Sequence, residues 1–295
     1  MCVWGPSIEQ TNLRFLRGLD PSFFLYQAAA HSSTEEGRDG MHAALALRLN
    51  YGMAVEALFA LLCATIQAPD CVFGWLSAYR NGELSDLVKR ISSSQKVRSL
   101  KPFRPCTWRQ VSAVLLAPLE ARDGAQHVTF TELFERAWKV FSAELLSSDS
   151  KREYNSLKHS FRVQPGGFKI NISHETGSLL QSESPFGHAF PYVKQMPGRK
   201  NHFDLKNAAM ALEPEMLRAS LKIIGCTISN IIAFLRARAG DSTSDLSLKL
   251  PQLAVFEGVW KERAPIASIM SGGSVTVPES EYWSSEEILS VYEDD

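Results

Sequence analysis

The residues most able to do chemistry together lie in one short stretch, Lys151-Arg-Glu-Tyr-Asn-Ser-Leu-Lys-His-Ser-Phe-Arg162. At about 100° per residue a helix here puts Arg152, Asn155, Ser156 and His159 on one side and Tyr154, Leu157 and Phe161 on the other. The apolar side supplies an anchor, and Glu153 is expected to point away from the Arg–His face. Arg152 and His159 stand two turns apart, roughly 10 Å along the axis, with Asn155 between them. Lys151, Lys158 and Arg162 complete a local concentration of positive charge.

These residue types suit cleavage of RNA without a metal. A neutral His, with an ordinary pKa of about 6.5, can take the proton from a 2′-hydroxyl near neutral pH. Arg152 can hold a phosphate bidentately and stabilise the charge that develops on it. Asn155 can orient either group or a substrate oxygen, and Lys158, Arg162 and Lys151 are candidate substrate contacts. One helix offers one His, so efficient acid–base chemistry calls for a second copy of the chain facing the first. The competing reading is the solvated face of an ordinary amphipathic helix.

An Arg, four to six residues and a His on a helix late in an α-helical bundle resembles the catalytic motif of the HEPN superfamily of ribonucleases and nucleic-acid-associated helical domains. The wording Tyr154-Asn-Ser-Leu-Lys-His159, followed by Phe-Arg-Val163, is similar to uncharacterised bacterial proteins of that group. The resemblance implies a helical core, a homodimer that brings two motif helices together, and metal-independent cleavage of RNA in toxin–antitoxin or antiphage defence. Arg152 and His159 are then the catalytic pair. A second match, Arg122-Asp-Gly-Ala-Gln-His127, falls in a Gly-containing connection between expected helices. The alternative is a helical module that binds a partner protein or nucleic acid without cleaving it.

Other chemistries have no motif. The phosphate-cradling GxxxxGK[ST] loop, the dinucleotide GxGxxG pattern and the GxSxG elbow are all missing. His174-Glu175 begins like a zinc-protease helix, but Ser178 stands where the second His is needed. No cofactor and no metal site is expected, since no cysteine pair has ligand spacing and the seven histidines are scattered.

The elements that must position the motif helix read as mainly helical, giving an all-α bundle. The strongest pattern runs from Gly40 to Ile66 and ends before Pro69, with Leu45, Leu49, Met53, Leu58, Leu61 and Leu62 at helical spacing. Arg48, Gly52 and Glu56, at steps of four, form a narrow polar line on it. That line reads as a partly buried ion pair or a close-packing stripe at Gly52, the alternative being that Glu56 or Arg48 faces a functional cleft. Further helices are expected at Pro21–Ala30, Phe73–Ile91, Thr107–Leu119 and Thr129–Leu146, the last opening on a Thr129/Glu132 capping box.

After the turn at Gln164-Pro-Gly-Gly, the alternation of Phe168, Ile170 and Ile172 with polar residues reads as a strand. With a second candidate at Ala189–Lys194 it predicts a small β-hairpin insertion at about 164–196, between the motif helix and a last long helix from Asp204 to Ala239 ended by Gly240. Residues 1–240 thus read as one helical domain and 241–295 as a Ser-rich, acidic tail.

Five cysteines, an odd number, argue against a disulfide framework, and no secretory signal opens the chain. The uncharged runs at 58–69 and 223–235 fall short of the roughly 20 residues of a membrane span, so the expectation is a cytoplasmic protein without membrane contact. The net charge of −1 excludes a generally basic nucleic-acid binder but conceals an asymmetry. The tail carries seven acidic and no basic residue from Glu279 onward, which leaves +6 on the rest. Such a tail suits masking of a phosphate site or binding of a regulatory partner.

Overall fold

The computed structural model describes residues 6–31, 37–159, 163–166, 168–173, 179–184, 186–195, 202–241, 247–260 and 271–276. The chain divides into a helical unit, Met1–Asn155 with Leu212–Glu262, and a second unit, Ser156–Ala211 with Arg263–Asp295. The mainly α architecture with an antiparallel β insertion is as the sequence indicates, although the β part is larger than one hairpin.

The helical unit holds α1 (Pro6–Gly18), α2 (Ser22–Ala30), α3 (Arg38–Gln67), α4 (Val72–Ala78), α5 (Asn81–Ser92), α6 (Trp108–Leu115), α7 (Ala117–Glu120), α8 (Gly124–Leu146), most of α9 (Ser148–Lys158), α10 (Pro214–Arg238) and α11 (Leu253–Trp260). The two apolar helices α3 and α10 pack on each other at its centre. Both are long and apolar enough in composition to cross a membrane, and two thirds of each apolar window is buried inside the fold (67%). Leu47, Leu58, Phe59 and Leu62 of α3 and Leu221, Ile224 and Ile231 of α10 are fully enclosed. Each such side chain contributes about 1.5–3 kcal/mol by leaving water. Trp108, Trp138, Phe134 and Phe256 extend this core, with the Phe134 and Phe256 rings edge-on at 5.4 Å. Pro214 opens α10, where its missing N–H costs nothing, and Gly240 ends it at φ +75°, a conformation most side chains resist.

Several boundaries differ from the sequence reading. The segment Phe73–Ile91 is two helices: Tyr79 and Arg80 adopt extended ψ angles of 127° and 150°, and Glu83 accepts the Arg80 backbone N–H to start α5. Likewise Thr107–Leu119 is split into α6 and α7, with Pro118 in the first turn of α7. The Thr129/Glu132 capping box does not form. Asp123 caps α8 a turn and a half earlier by accepting from Gln126 N–H, Thr129 donates back to the Ala125 carbonyl, and Glu132 pairs with Arg109. A good cap upstream removes the need for the later one.

The second unit carries β1 (Gln164–Pro165), β2 (Phe168–Ser173), β3 (Leu179–Ser184), β4 (Gly187–Gln195), β5 (His202–Ala211) and β6 (Ser271–Thr276). β2 and β3 form the hairpin, in register from Phe168↔Ser184 to Ser173↔Leu179. The Ala189–Lys194 segment is a strand as expected, but it pairs with β1 and β5 rather than β2, in a sheet of order β1-β4-β5-β6. Residues 204–211, expected as the first turns of the last helix, instead belong to β5, laddered on one edge to β4 and on the other to β6. The ladder to β4 runs through Ala208, Ala209 and Ala211 and, with the β6 ladder over 202–207, outweighs their helix preference. The segment after Gly240 supplies α11 and β6, so it is not wholly a tail, while 279–295 lies outside the described residues.

Candidate functional site

The helical unit grips α9 through charge and shape. Arg48 of α3 is buried and reaches two carboxylates: Glu144 at the end of α8 (2.6 Å) and Glu153 of α9, whose Oε1 accepts the Arg48 Nε–H at 2.8 Å. A second contact joins Arg48 Nη2 to Glu153 Oε2. Burial works against the guanidinium charge, but Glu144 and Glu153 outweigh it and hold the Arg48 pKa well above its ordinary value. Tyr51 adds a hydroxyl hydrogen bond to Glu144 at 3.1 Å.

One turn along α3, Gly52 receives the Tyr154 ring. A Cβ at position 52 would stand 2.5 Å from Tyr154 Cδ2, so only glycine permits this approach. One further turn on, Glu56 accepts the Tyr154 hydroxyl at 3.1 Å. Burial, with the adjoining Glu56 carboxylate, pushes the phenol pKa upward. The Arg48–Gly52–Glu56 line is therefore a close-packing stripe and a buried ion pair, and it also faces a cavity.

That grip determines which residues of α9 meet solvent. Lys151, Arg152 and Asn155 are exposed, as expected. Lys151 Nζ donates to Ser85 Oγ (3.1 Å) and Arg152 pairs with Asp149 at 3.2 Å, an exposed contact of low strength. Glu153 does point away from this face, and it is wholly buried. Ser156, expected on the polar face, is buried too. Lys158 closes the helix and His159 stands in the turn beyond it, both exposed. The unit division falls after Asn155, so Arg152 and Asn155 belong to the helical unit and Lys158 and His159 to the other. Arg162 and Phe161 lie outside the described residues. Of the second match, His127 sits inside α8 rather than in a connection, and its Nε2 lies 3.3 Å from the Ala113 carbonyl.

Between α3, α4, α5, α8 and α9, all within the helical unit, lies a cavity of ≈ 670 Å³. Met53, Ala57, Ala60, Leu76, Leu84 and Leu145 give it an apolar wall, and Tyr79 and Tyr154 add aromatic rings. Glu56 lies on it, while Lys151, Asn155 and Ser85 contribute polar groups. This volume is in the range of small-ligand sites, with the usual mixture of apolar surface and a few polar groups.

The sequence singled out Arg48, Gly52 and Glu56 but missed Tyr51, Tyr79 and Glu144: Tyr51 meets Glu144 across 93 positions, and Tyr79 comes to the cavity from the end of α4. Among the described residues, no group of three or more His, Cys, Asp or Glu is placed to hold a metal ion. Cys63 and Cys106 are buried, and burial pushes the Cys106 thiol up to about 11 and Cys63 further, which suppresses the thiolate. No protein-family model, curated protein or solved structure matches this chain.

Proposed function

We propose that the protein is a HEPN-like endoribonuclease that acts without a metal as a homodimer in the cytoplasm, in a toxin–antitoxin or antiphage defence setting. Arg152 holds the scissile phosphate, Asn155 orients it, and His159 exchanges the proton of the 2′-hydroxyl, with Lys151, Lys158 and Arg162 as backbone contacts. The observation that carries this reading is the contrast within α9: Glu153 and Tyr154 are locked into the helical unit while Lys151, Arg152 and Asn155 are held out to solvent. A helix fixed by a buried ion pair presents its outer residues with little freedom left to lose, which favours a positioned phosphate contact over a merely solvated face.

The reaction would be intramolecular attack of the 2′-oxygen on the neighbouring phosphorus, with expulsion of the 5′-oxygen and retention of a 2′,3′-cyclic phosphate. Purified protein incubated with RNA in EDTA is expected to give cyclic-phosphate ends. Arg152→Ala and His159→Ala should each reduce cleavage by at least about a hundredfold, the usual scale for an acid–base group. Equal rates for wild type and His159→Ala would overturn the reading.

A further inference from the structure

Charge is unevenly spread over the helical unit. Between Asp86 and Glu120 the chain carries seven basic residues and no acidic one. Four of them lie in the connection from α5 to α6, residues 93–107, where inward and outward side chains are interleaved. Ser99, Phe103 and Cys106 are buried, Val97 and Leu100 pack on the core, and Lys96, Arg98, Lys101 and Arg104 are exposed. Hydrogen bonds hold this connection in place. Leu100 N–H donates to the Ile66 carbonyl at 3.0 Å, Arg104 Nε to the Ser99 carbonyl at 2.8 Å, and Gln110 Nε2 to the Pro102 carbonyl at 3.3 Å. Arg90 is taken by Asp86 and Arg109 by Glu132. Among the described residues no carboxylate pairs with Lys89, Lys96, Arg98 or Lys101, so these charges face solvent uncompensated.

Beside these cations, α4 and α5 border a crevice of ≈ 390 Å³. Trp75 and Tyr79 line it, half-buried, with ring centroids 5.7 Å apart and planes at 50°, and Leu87 and Val97 add apolar surface. The Tyr79 hydroxyl donates to Gln67 at 2.7 Å, which fixes that ring. Arg90 and Arg98 stand on the same crevice, and its carboxylates are engaged, Asp86 by Arg90 and Glu83 by the Arg80 N–H that opens α5. Held aromatic rings next to uncompensated cations are what an unpaired nucleic-acid strand needs: the rings take the faces of bases and the cations take phosphates. A duplex keeps its bases stacked on one another and cannot use such a crevice. A membrane surface calls for exposed apolar side chains among the cations. The large exposed ones among the described residues, Phe23, Tyr26, Val128 and Leu253, all lie outside this segment. We propose that the crevice and the 93–107 connection bind single-stranded nucleic acid, with bases stacked on Trp75 and Tyr79 and the backbone held by Lys96, Arg98 and Lys101. Lys89 extends the site toward α9: it follows Ser85 by one turn, about 6 Å, on the face of α5 where Ser85 accepts from Lys151. The inference does not rest on the ribonuclease reading, since binding without cleavage satisfies it.

Fluorescence anisotropy of the full chain with labelled oligo(dT), which has no 2′-hydroxyl to attack, and with oligo(U) reads binding apart from cleavage. Binding is expected at low salt, and whichever strand binds more tightly identifies DNA or RNA as the source. The triple variant Lys96→Ala/Arg98→Ala/Lys101→Ala should lower the slope of log affinity against log salt by about 2, from about 0.7 for each of three phosphate contacts. Lys222→Ala, which removes an exposed cation of α10, should leave the slope unchanged. A strand of the same length made of abasic units should bind at least about tenfold more weakly than oligo(dT), because its bases no longer stack. Circular dichroism checks that the variants keep their helices. Equal slopes for the triple variant and wild type overturn the proposal, as does no binding of either oligonucleotide. Equal affinity for abasic and base-bearing strands also overturns it, since the patch would then take any polyanion. So does sedimentation with phosphatidylserine vesicles, lost in the triple variant, by a protein that ignores both oligonucleotides. A slope lowered by Lys151→Ala and Arg152→Ala but not by the triple variant sinks the crevice site and leaves the ribonuclease reading standing. Oligonucleotide binding that depends on the triple positions, in a protein that cleaves no RNA, keeps the site and sinks that reading.

Discussion

The Tyr154 ring lies flat enough on α3 that a methyl group at Gly52 would intrude to 2.5 Å of its Cδ2 and 2.7 Å of its Cε2. Gly52→Ala should raise the intrinsic helix preference of α3 by about 1 kcal/mol, yet displace a ring whose far end is bonded to Glu56. Overpacking of this kind costs about 1–3 kcal/mol, so the net change is expected to be destabilising. Urea denaturation measures it, and a double-mutant cycle with Tyr154→Ala should show strong coupling. An increase in stability for Gly52→Ala would contradict the packing described.

Arg48 sits between two carboxylates, and the order in which its partners are removed matters. Arg48→Met leaves the buried Glu153 and the half-buried Glu144 without their common cation, and breaking such a group is expected to cost about 3–5 kcal/mol. Glu153→Gln keeps an acceptor for Arg48 and leaves the Glu144 pair intact, so its cost should be lower, about 1–2 kcal/mol. Equal losses in chemical denaturation would show that Arg48 is not the hub of the network.

Alkaline pH should loosen the helical unit. Burial raises the pKa values of Cys63, Tyr79 and Tyr154, and that of Cys106 from 9.0 to about 11. For these acids a raised value means that the folded state holds its proton where the unfolded chain has released it. Their contribution is thus intact below the ordinary thiol value of 9.0 and is lost as pH climbs toward about 11. Melting temperature is expected to stay level from neutral pH to about 9 and fall beyond it. Cys106→Ala should flatten the first part of that fall, and a fall of unchanged steepness would count against it.

The outward face of α9 should bind polyanions in a salt-dependent manner. Lys151→Ala and Arg152→Ala are each expected to lower the slope of log affinity against log salt by about 0.7 for single-stranded RNA, one phosphate contact apiece. Substituting Lys139, an exposed cation of α8 paired to Glu135, supplies the control with no change in slope. Unchanged slopes for both α9 variants would remove the phosphate contacts.

Much of the site was legible as local pattern. Four-residue spacing put Arg48, Gly52 and Glu56 on one line of α3, and the amphipathic order of 151–159 set Arg152 and Asn155 outward with Tyr154 inward, though it also set outward Ser156, which is buried. Gly240 marked the end of α10 because it acts through its own backbone, whatever surrounds it, whereas Pro214, which opens the helix, fell inside a helix expected from Asp204. Where two local signals competed the reading went astray. Thr129 and Glu132 form a sound capping box on paper, but Asp123 had already capped the helix.

The amino-acid order by itself thus determined the helical class, the anchored and outward faces of α9, and the stripe on α3, since these depend on periodicity and on single-residue conformational limits. Only the tertiary structure decided that Glu153 and Glu144 converge on Arg48 from 105 and 96 residues away, and that Tyr154 fills the space left by Gly52. It likewise decided that the Ala-rich segment 202–211 is a strand, because the ladders that hold it come from residues 187–195 and 271–276. The physical reason is common to all three: a buried charge, a missing Cβ and an unpaired strand edge each create a requirement that is visible locally, while the group that satisfies it is supplied by chain closure over distances no local pattern encodes.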